Sequence, residues 1–89
     1  MNALHINIFG QVQTVGFRTW MKEKATRMEV SGWVRNASNG SVEAFMQGAE
    51  DAVNELLALS WEGPSLAEVE DILTQDSKED PSITSFEIH

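Results

Sequence analysis

The chain has 89 residues, no cysteine and a formal net charge of -8. This length predicts a single small domain over residues 1–89. The lack of cysteine excludes disulfides, thiolate zinc sites and cysteine nucleophiles, and the acidity weighs against nucleic acid or an anionic membrane as main partner. The opening residues show no basic stretch before a long apolar run, and no run reaches membrane-spanning length, so the sequence predicts a cytoplasmic protein.

The first half of the chain reads as strand, loop, helix, strand, strand. Residues 4–9 alternate apolar and polar types, as in a half-buried strand, and residues 10–16 form a loop. The apolar stripe of the following helix is Phe17, Met21, Ala25 and Met28. A second strand over residues 30–36 and a third over residues 42–47 flank the hairpin signal Asn39-Gly40.

The second half adds a helix and one or two strands. This helix ends at Gly63-Pro64. Its expected buried stripe is Ala49, Val53, Leu56, Leu57 and Ser60. Residues 67–73 read as a weaker strand, residues 75–82 as an exposed loop and residues 83–88 as a last strand. The order predicts an α+β fold, a ferredoxin-like α/β sandwich of βαββαβ order with an antiparallel sheet, two helices on one face and a possible extra C-terminal strand.

The distribution of charge suggests an anion site in the first half of the chain. Residues 1–40 contain five basic and two acidic residues, whereas residues 41–89 contain one lysine and twelve acidic residues. By itself, this distribution of charge is explained by solvated helix faces. Predicting an anion site therefore requires a sequence motif as well.

The loop before the first helix provides that motif, with the sequence GQVQTVGFR over residues 10–18. A helix start offers backbone N–H groups without intrahelical acceptors and a partial positive charge. Gly16 lets the backbone approach a ligand closely, and the planar fork of Arg18 suits two oxygens of one phosphate. The segment therefore favours an anion, and tetrahedral phosphate would use the most donors.

Residues 10–18 resemble the signature of the acylphosphatase family. Residues 32–36, followed by Asn39-Gly40 and Val42-Glu43, resemble its second signature, and the resemblance covers essentially the whole chain. It implies an enzyme that hydrolyses the carboxyl-phosphate bond of acyl phosphates to carboxylate and inorganic phosphate. It implies in-line attack by water with neither a metal nor another cofactor.

The resemblance also implies the roles of particular residues. Arg18 would bind the phosphate and Asn36 would position the attacking water. The residues of the implied backbone cradle are Gln13, Thr14, Val15, Gly16, Phe17 and Arg18. Only the backbone of Gln13 is expected to matter. The expected partners are a small acyl phosphate and inorganic phosphate, without nucleic acid or membrane, and a monomer would suffice.

Thr14 stands where the family usually has a glycine. If the position requires positive φ, a β-branched residue there costs about 1–3 kcal/mol. If φ is ordinary, the hydroxyl could instead bind a loop N–H group or touch the phosphate. The strained case would favour a weakly active or inactive anion-binding module built on the same loop.

Other polar and aromatic residues have simpler interpretations. Arg35 is expected on the opposite strand face from Asn36, in a surface ion pair, and His5 is expected to face away from the helices. A nucleic-acid module would use Phe9 and Phe45 on the exposed sheet face, but the net charge argues against it.

Overall fold

The computed structural model describes residues 2–89, and its elements follow the predicted order. The strands are β1 (Asn2–Gln11), β2 (Ser31–Asn36), β3 (Val42–Gly48), β4 (Glu68–Asp76) and β5 (Phe86–Ile88), and the helices are α1 (Phe17–Arg27) and α2 (Glu50–Ser60). The strands form one sheet in the order β4-β1-β3-β2-β5, against which both helices pack. The predicted ferredoxin-like arrangement is confirmed.

The predicted antiparallel sheet forms from four strands, and the extra C-terminal strand β5 pairs parallel. Strands β1, β2, β3 and β4 pair antiparallel, but β5 pairs parallel with β2. The reason is topological. Strands β1 and β2 run in the same direction, and β4 runs opposite to both. The last residue of β4 therefore lies at the end of the sheet where β2 starts. The chain then crosses to the far edge and turns back, so β5 runs in the direction of β2.

The boundaries of the last two strands also differ from the prediction. Polar residues 75 and 76 belong to β4, because β1 provides a paired partner for each of them. Residues 83–85 lie outside β5, and the buried side chain of Gln47 binds the backbone of this connection. Its Nε2 donates to Asp80 O at 2.9 Å and Ile83 O at 3.1 Å, and its Oε1 accepts from Asp80 N at 2.7 Å.

The core lies between the sheet and the helices, largely as the periodicity predicts. The buried helix residues are Phe17, Met21, Ala25, Val53, Leu56 and Ser60. Ser60 satisfies its hydroxyl within α2 by donating to Leu56 O at 2.7 Å. Ala49 is exposed instead of buried, because it is the N-cap of α2 and precedes the packed turns.

A bulge at Gly10 directs the end of β1 into the loop before α1. The pairing of β1 with β4 shifts register between Phe9 and Gly10. Gly10 has φ 129°, and a Cβ atom there would lie 2.1 Å from Glu68 O. Only glycine fits this close backbone approach, since any side chain would push the two strands apart.

The sheet face opposite the helices carries an ion-pair network centred on Glu43. Arg35 Nε donates to Glu43 Oε1 at 2.6 Å, and His5 Nε2 lies 2.5 Å from Glu43 Oε2. The Arg35 guanidinium carbon also lies 5.6 Å from the centroid of the Trp33 ring. The predicted surface ion pair of Arg35 and the outward orientation of His5 are therefore confirmed.

This network predicts a pH-dependent contribution to stability. Burial raises the pKa of Glu43, but the hydrogen bonds and charges of Arg35 and His5 outweigh burial and leave the pKa below its ordinary value of 4.5. Such a carboxyl stabilises the fold above its unfolded pKa, and the contribution is lost as the pH falls through the folded pKa. We expect Glu43→Gln to lower the free energy of unfolding by about 1 kcal/mol near pH 7.

Urea unfolding at about pH 7 and about pH 3.5 measures this effect. Glu55→Gln is the control, because Glu55 is exposed on α2 and the substitution changes the net charge equally. We expect the difference between the two variants to shrink at the lower pH. An equal difference at both pH values would contradict the electrostatic origin.

Candidate active site

Helix α1 begins without the groups that normally neutralise a helix N-terminus. Its N-cap is Gly16, no side chain caps it, and its first turn contains no acidic residue. In contrast, α2 begins with Glu50 and Asp51. Arg18 adds a further positive charge to the positive end of the α1 dipole, which is unfavourable in the isolated protein. A bound anion would reverse the sign of this interaction.

The loop presents a run of backbone donors next to Arg18. Within residues 2–89, the N–H groups of residues 14–18 have no hydrogen-bond acceptor, and the first closed turn is Trp20 N to Gly16 O at 3.0 Å. Gly16 has φ 81°, and a Cβ atom there would meet no protein atom within 4 Å. The backbone at Gly16 is therefore open to a ligand, in a conformation that favours glycine.

Arg18 is exposed at the second position of α1. Among residues 2–89 it takes part in no ion pair, whereas Arg35 and His5 are paired with Glu43. Its guanidinium is therefore available to bind an anion at the start of the helix.

Asn36 is the last residue of β2 and lies opposite Val42 of β3. Side chains alternate along a strand, so Asn36 shares the sheet face of buried Val34, which is the helix side. Its neighbour Arg35 belongs to the opposite face, with Glu43. The exposed side chain of Asn36 thus stands at the sheet end beyond the core, on the face where α1 packs.

The side chain of Gln13 joins the loop to the hairpin that follows Asn36. Its Nε2 donates to Ala37 O at 2.8 Å and to Ser41 O at 2.9 Å. The side chain of Gln13 thus makes two contacts in addition to the backbone role that the sequence predicts for it. The one sequence signal for this contact is a long amide side chain between apolar Val12 and small Thr14.

Thr14 adopts the strained conformation of the two that the sequence left open. Its φ is 62°, and its Oγ1 donates to Gln13 O at 2.6 Å instead of accepting from a loop N–H group. The left-handed region costs a residue with a Cβ atom about 1–2 kcal/mol. The loop therefore has positive φ at residue 14, and the threonine there lowers the stability of the fold.

We expect Thr14→Gly to raise the free energy of unfolding by about 1 kcal/mol, because relief of backbone strain exceeds the added entropy of the unfolded chain. Urea unfolding measures the change. Glu29→Gly is the matched control, since Glu29 lies at φ 58° just after α1 and away from the loop. It should stabilise similarly. A clear loss of stability in Thr14→Gly alone would show that the Thr14 hydroxyl outweighs the strain.

Two cavities can be compared with the position of the predicted site. One of about 310 Å³ lies against the loop, and its lining residues are Gly10, Gln11, Val12, Gln13, Thr14, Val15 and Gly40. Neither Arg18 nor Asn36 lines it. A larger cavity of about 480 Å³ lies between α1 and the segment around β5, and no predicted site residue lines it. Cavity size therefore does not point to the predicted site, for which the supporting observation is the run of unpaired loop donors within residues 2–89.

Within residues 2–89, no group of three or more histidine, aspartate or glutamate side chains is arranged to hold a metal ion. No helix in the same range is long and apolar enough to cross a membrane.

The fold is a ferredoxin-like α/β sandwich whose loop before the first helix carries a run of unpaired backbone donors within residues 2–89. The acylphosphatase family profile matches residues 4–88. An acylphosphatase of Alcanivorax borkumensis is 42% identical over 91 residues, with 99% of each chain covered. The chain belongs to the acylphosphatase family.

Solved structures agree with this assignment. The crystal structure of an acylphosphatase from Bacillus subtilis matches 100% of this chain and 99% of its own, with a TM-score of 0.95 and 30% identity. An acylphosphatase from Coxiella burnetii matches 99% of this chain and 92% of its own, with a TM-score of 0.91 and 34% identity. The expected family is confirmed, acylphosphatase activity is supported, and an inactive anion-binding module is not favoured.

Proposed function

We propose that this chain hydrolyses the carboxyl-phosphate bond of small acyl phosphates, releasing a carboxylate and inorganic phosphate, and that Arg18 and Asn36 are its catalytic residues. The observation that carries the proposal is the run of unpaired N–H groups over residues 14–18 beside the unpaired Arg18. A transferring phosphoryl group needs this combination of donors and positive charge.

Arg18 and the loop amides bind the phosphoryl group in this mechanism. The guanidinium fork donates to two phosphoryl oxygens, and the N–H groups of the cradle donate to the oxygens that face the loop. Because these donors are fixed by the backbone before substrate binds, they stabilise the charge of the transition state with little reorganisation.

Asn36 positions the nucleophile. Its side-chain carbonyl oxygen accepts a hydrogen bond from a water molecule and holds it in line with the bond that breaks. An amide is too weak a base to take the proton, so the proton passes to a phosphoryl oxygen of the substrate. The leaving group is a carboxylate, which departs without a strong general acid.

The proposal also includes the location, the oligomeric state and the partners of the enzyme. We place it in the cytoplasm as a monomer in which residues 1–89 form one catalytic domain, without nucleic-acid partners. Two contacts on the open sheet face support the last point. Arg35 is neutralised by Glu43, and Phe45 is buried, with its ring stacked 6.5 Å from that of Trp33. A stacking platform for bases would need exposed aromatic rings and unpaired cations.

Turnover of benzoyl phosphate by the purified full chain tests the proposal. We expect hydrolysis well above the uncatalysed rate, competitive inhibition by inorganic phosphate and no change on addition of EDTA. Phosphate binding without hydrolysis would show an anion-binding module instead. Loss of activity in EDTA that magnesium restores would contradict the mechanism.

A further inference from the structure

We infer that Gln13 is a positioning residue, which fixes Asn36 relative to the phosphate-binding loop through the backbone of the β2–β3 hairpin. The inference rests on the proposed function, because it concerns the alignment of the two halves of that site. The side chain of Gln13 acts through the hairpin in this inference, and its donors bind neither the phosphate nor the water.

The two donors of one amide hold both ends of the hairpin loop. Gln13 Nε2 donates to Ala37 O at 2.8 Å and to Ser41 O at 2.9 Å. Those two residues are themselves paired, since Ala37 N donates to Ser41 O at 2.9 Å. Because the two N–H groups of a planar amide keep a fixed angle, the bridge restrains both the distance and the orientation of the hairpin.

The residues at both ends of these hydrogen bonds are next in sequence to residues of the proposed site. Gln13 precedes Thr14, where the cradle of N–H groups begins, and Ala37 follows Asn36 in the chain. Within residues 2–89, no other hydrogen bond joins residues 12–16 to residues 37–41. The side chain of Gln13 is thus the polar contact that fixes the position of Asn36, at the end of β2, relative to the loop.

The hairpin is stiff enough to transmit this restraint. Asn39 Oδ1 accepts from Ser41 N at 3.1 Å and from Ser41 Oγ at 2.6 Å, and Gly40 N donates to Ala37 O at 3.2 Å. Ser41 is only 1% exposed. Deformation of the hairpin loop would break these internal bonds, so we expect the loop to move as a unit and to carry Asn36 with it.

The consequence concerns the chemical step more than phosphate binding. In-line attack depends steeply on the position of the water, and a displacement of about 1 Å costs about 10²-fold in rate. Phosphate affinity depends on Arg18 and the loop amides, whereas the side-chain amide of Gln13 donates to the hairpin instead. Removing the donors of Gln13 should therefore lower kcat while the inhibition constant of inorganic phosphate stays nearly constant.

Gln13→Met tests this inference, because methionine has a similar length and no donor. With benzoyl phosphate we expect kcat to fall at least about tenfold, with less than about threefold change in the inhibition constant of inorganic phosphate. Gln75→Met is the matched control, since Gln75 is exposed on β4, and should keep wild-type kcat. In the Asn36→Ala background, Gln13→Met should lower kcat by less than about twofold, because the group that it positions is absent.

A second variant covers the case in which Gln13→Met does not fold. Gln13→Asn keeps the amide but is one methylene too short to reach both carbonyls, and it should show the same selective loss of kcat. Three outcomes would overturn this inference without affecting the proposed function. They are wild-type kcat in the folded variants, an equal loss of kcat and phosphate affinity, and losses that multiply in the double variant. Wild-type kcat in Asn36→Ala would overturn the proposed site, and this inference with it.

Discussion

Replacing Arg18 with alanine should lower kcat/KM for benzoyl phosphate by about 10³-fold, or about 4 kcal/mol of transition-state stabilisation. Arg18 is the unpaired cation at the start of α1, so the variant leaves the phosphoryl group with the backbone donors alone. Lysine should restore only part of the loss, because a point charge cannot donate to two oxygens in the fork geometry. Steady-state kinetics of both variants measure the effect.

The same substitution should not weaken the fold. Arg18 is exposed, and its charge is unfavourable at the positive end of the helix dipole while no anion is bound. We therefore expect the free energy of unfolding to stay equal or rise slightly in Arg18→Ala. Arg27→Ala is the control, since Arg27 is exposed at the other end of α1 and should not affect turnover. Wild-type turnover in Arg18→Ala would refute the assignment of the site.

The parts of the fold that could be predicted from the sequence are those set by local pattern. Alternation in β1 and the helical spacing of Phe17, Met21 and Ala25 are properties of consecutive residues, and the structure follows them. The parallel pairing of β5 could not be read in this way, because it depends on the edge of the sheet at which a long connection ends. The same holds for Gln75, which is polar but joins β4 because β1 pairs with it.

A similar division holds for the site. Gly16 and Arg18 lie within one short segment whose sequence already points to an anion. The contacts of Gln13 could not be predicted, because its acceptors lie 24 and 28 residues further along the chain. The φ of Thr14, which is 62°, could not be predicted either. It depends on how the whole loop closes and not on the preference of one residue.

The second large effect is expected at Asn36. Asn36→Ala should lower kcat by about 10²–10³-fold, because the attacking water loses the acceptor that holds it in line. The inhibition constant of inorganic phosphate should change by less than about threefold, since the anion is held by Arg18 and the loop. Asn54→Ala, at an exposed position of α2, controls for loss of an asparagine elsewhere.

Asn36→Asp separates positioning of water from contact with the anion. A carboxylate oxygen can still accept a hydrogen bond from water, but its negative charge repels a bound phosphate. We expect Asn36→Asp to weaken phosphate inhibition, which Asn36→Ala leaves nearly unchanged. If Asn36→Ala weakens phosphate inhibition as much as it lowers kcat, Asn36 maintains the binding loop instead of orienting water. Unchanged unfolding free energies in both variants would confirm that the losses arise in the site and not in the fold.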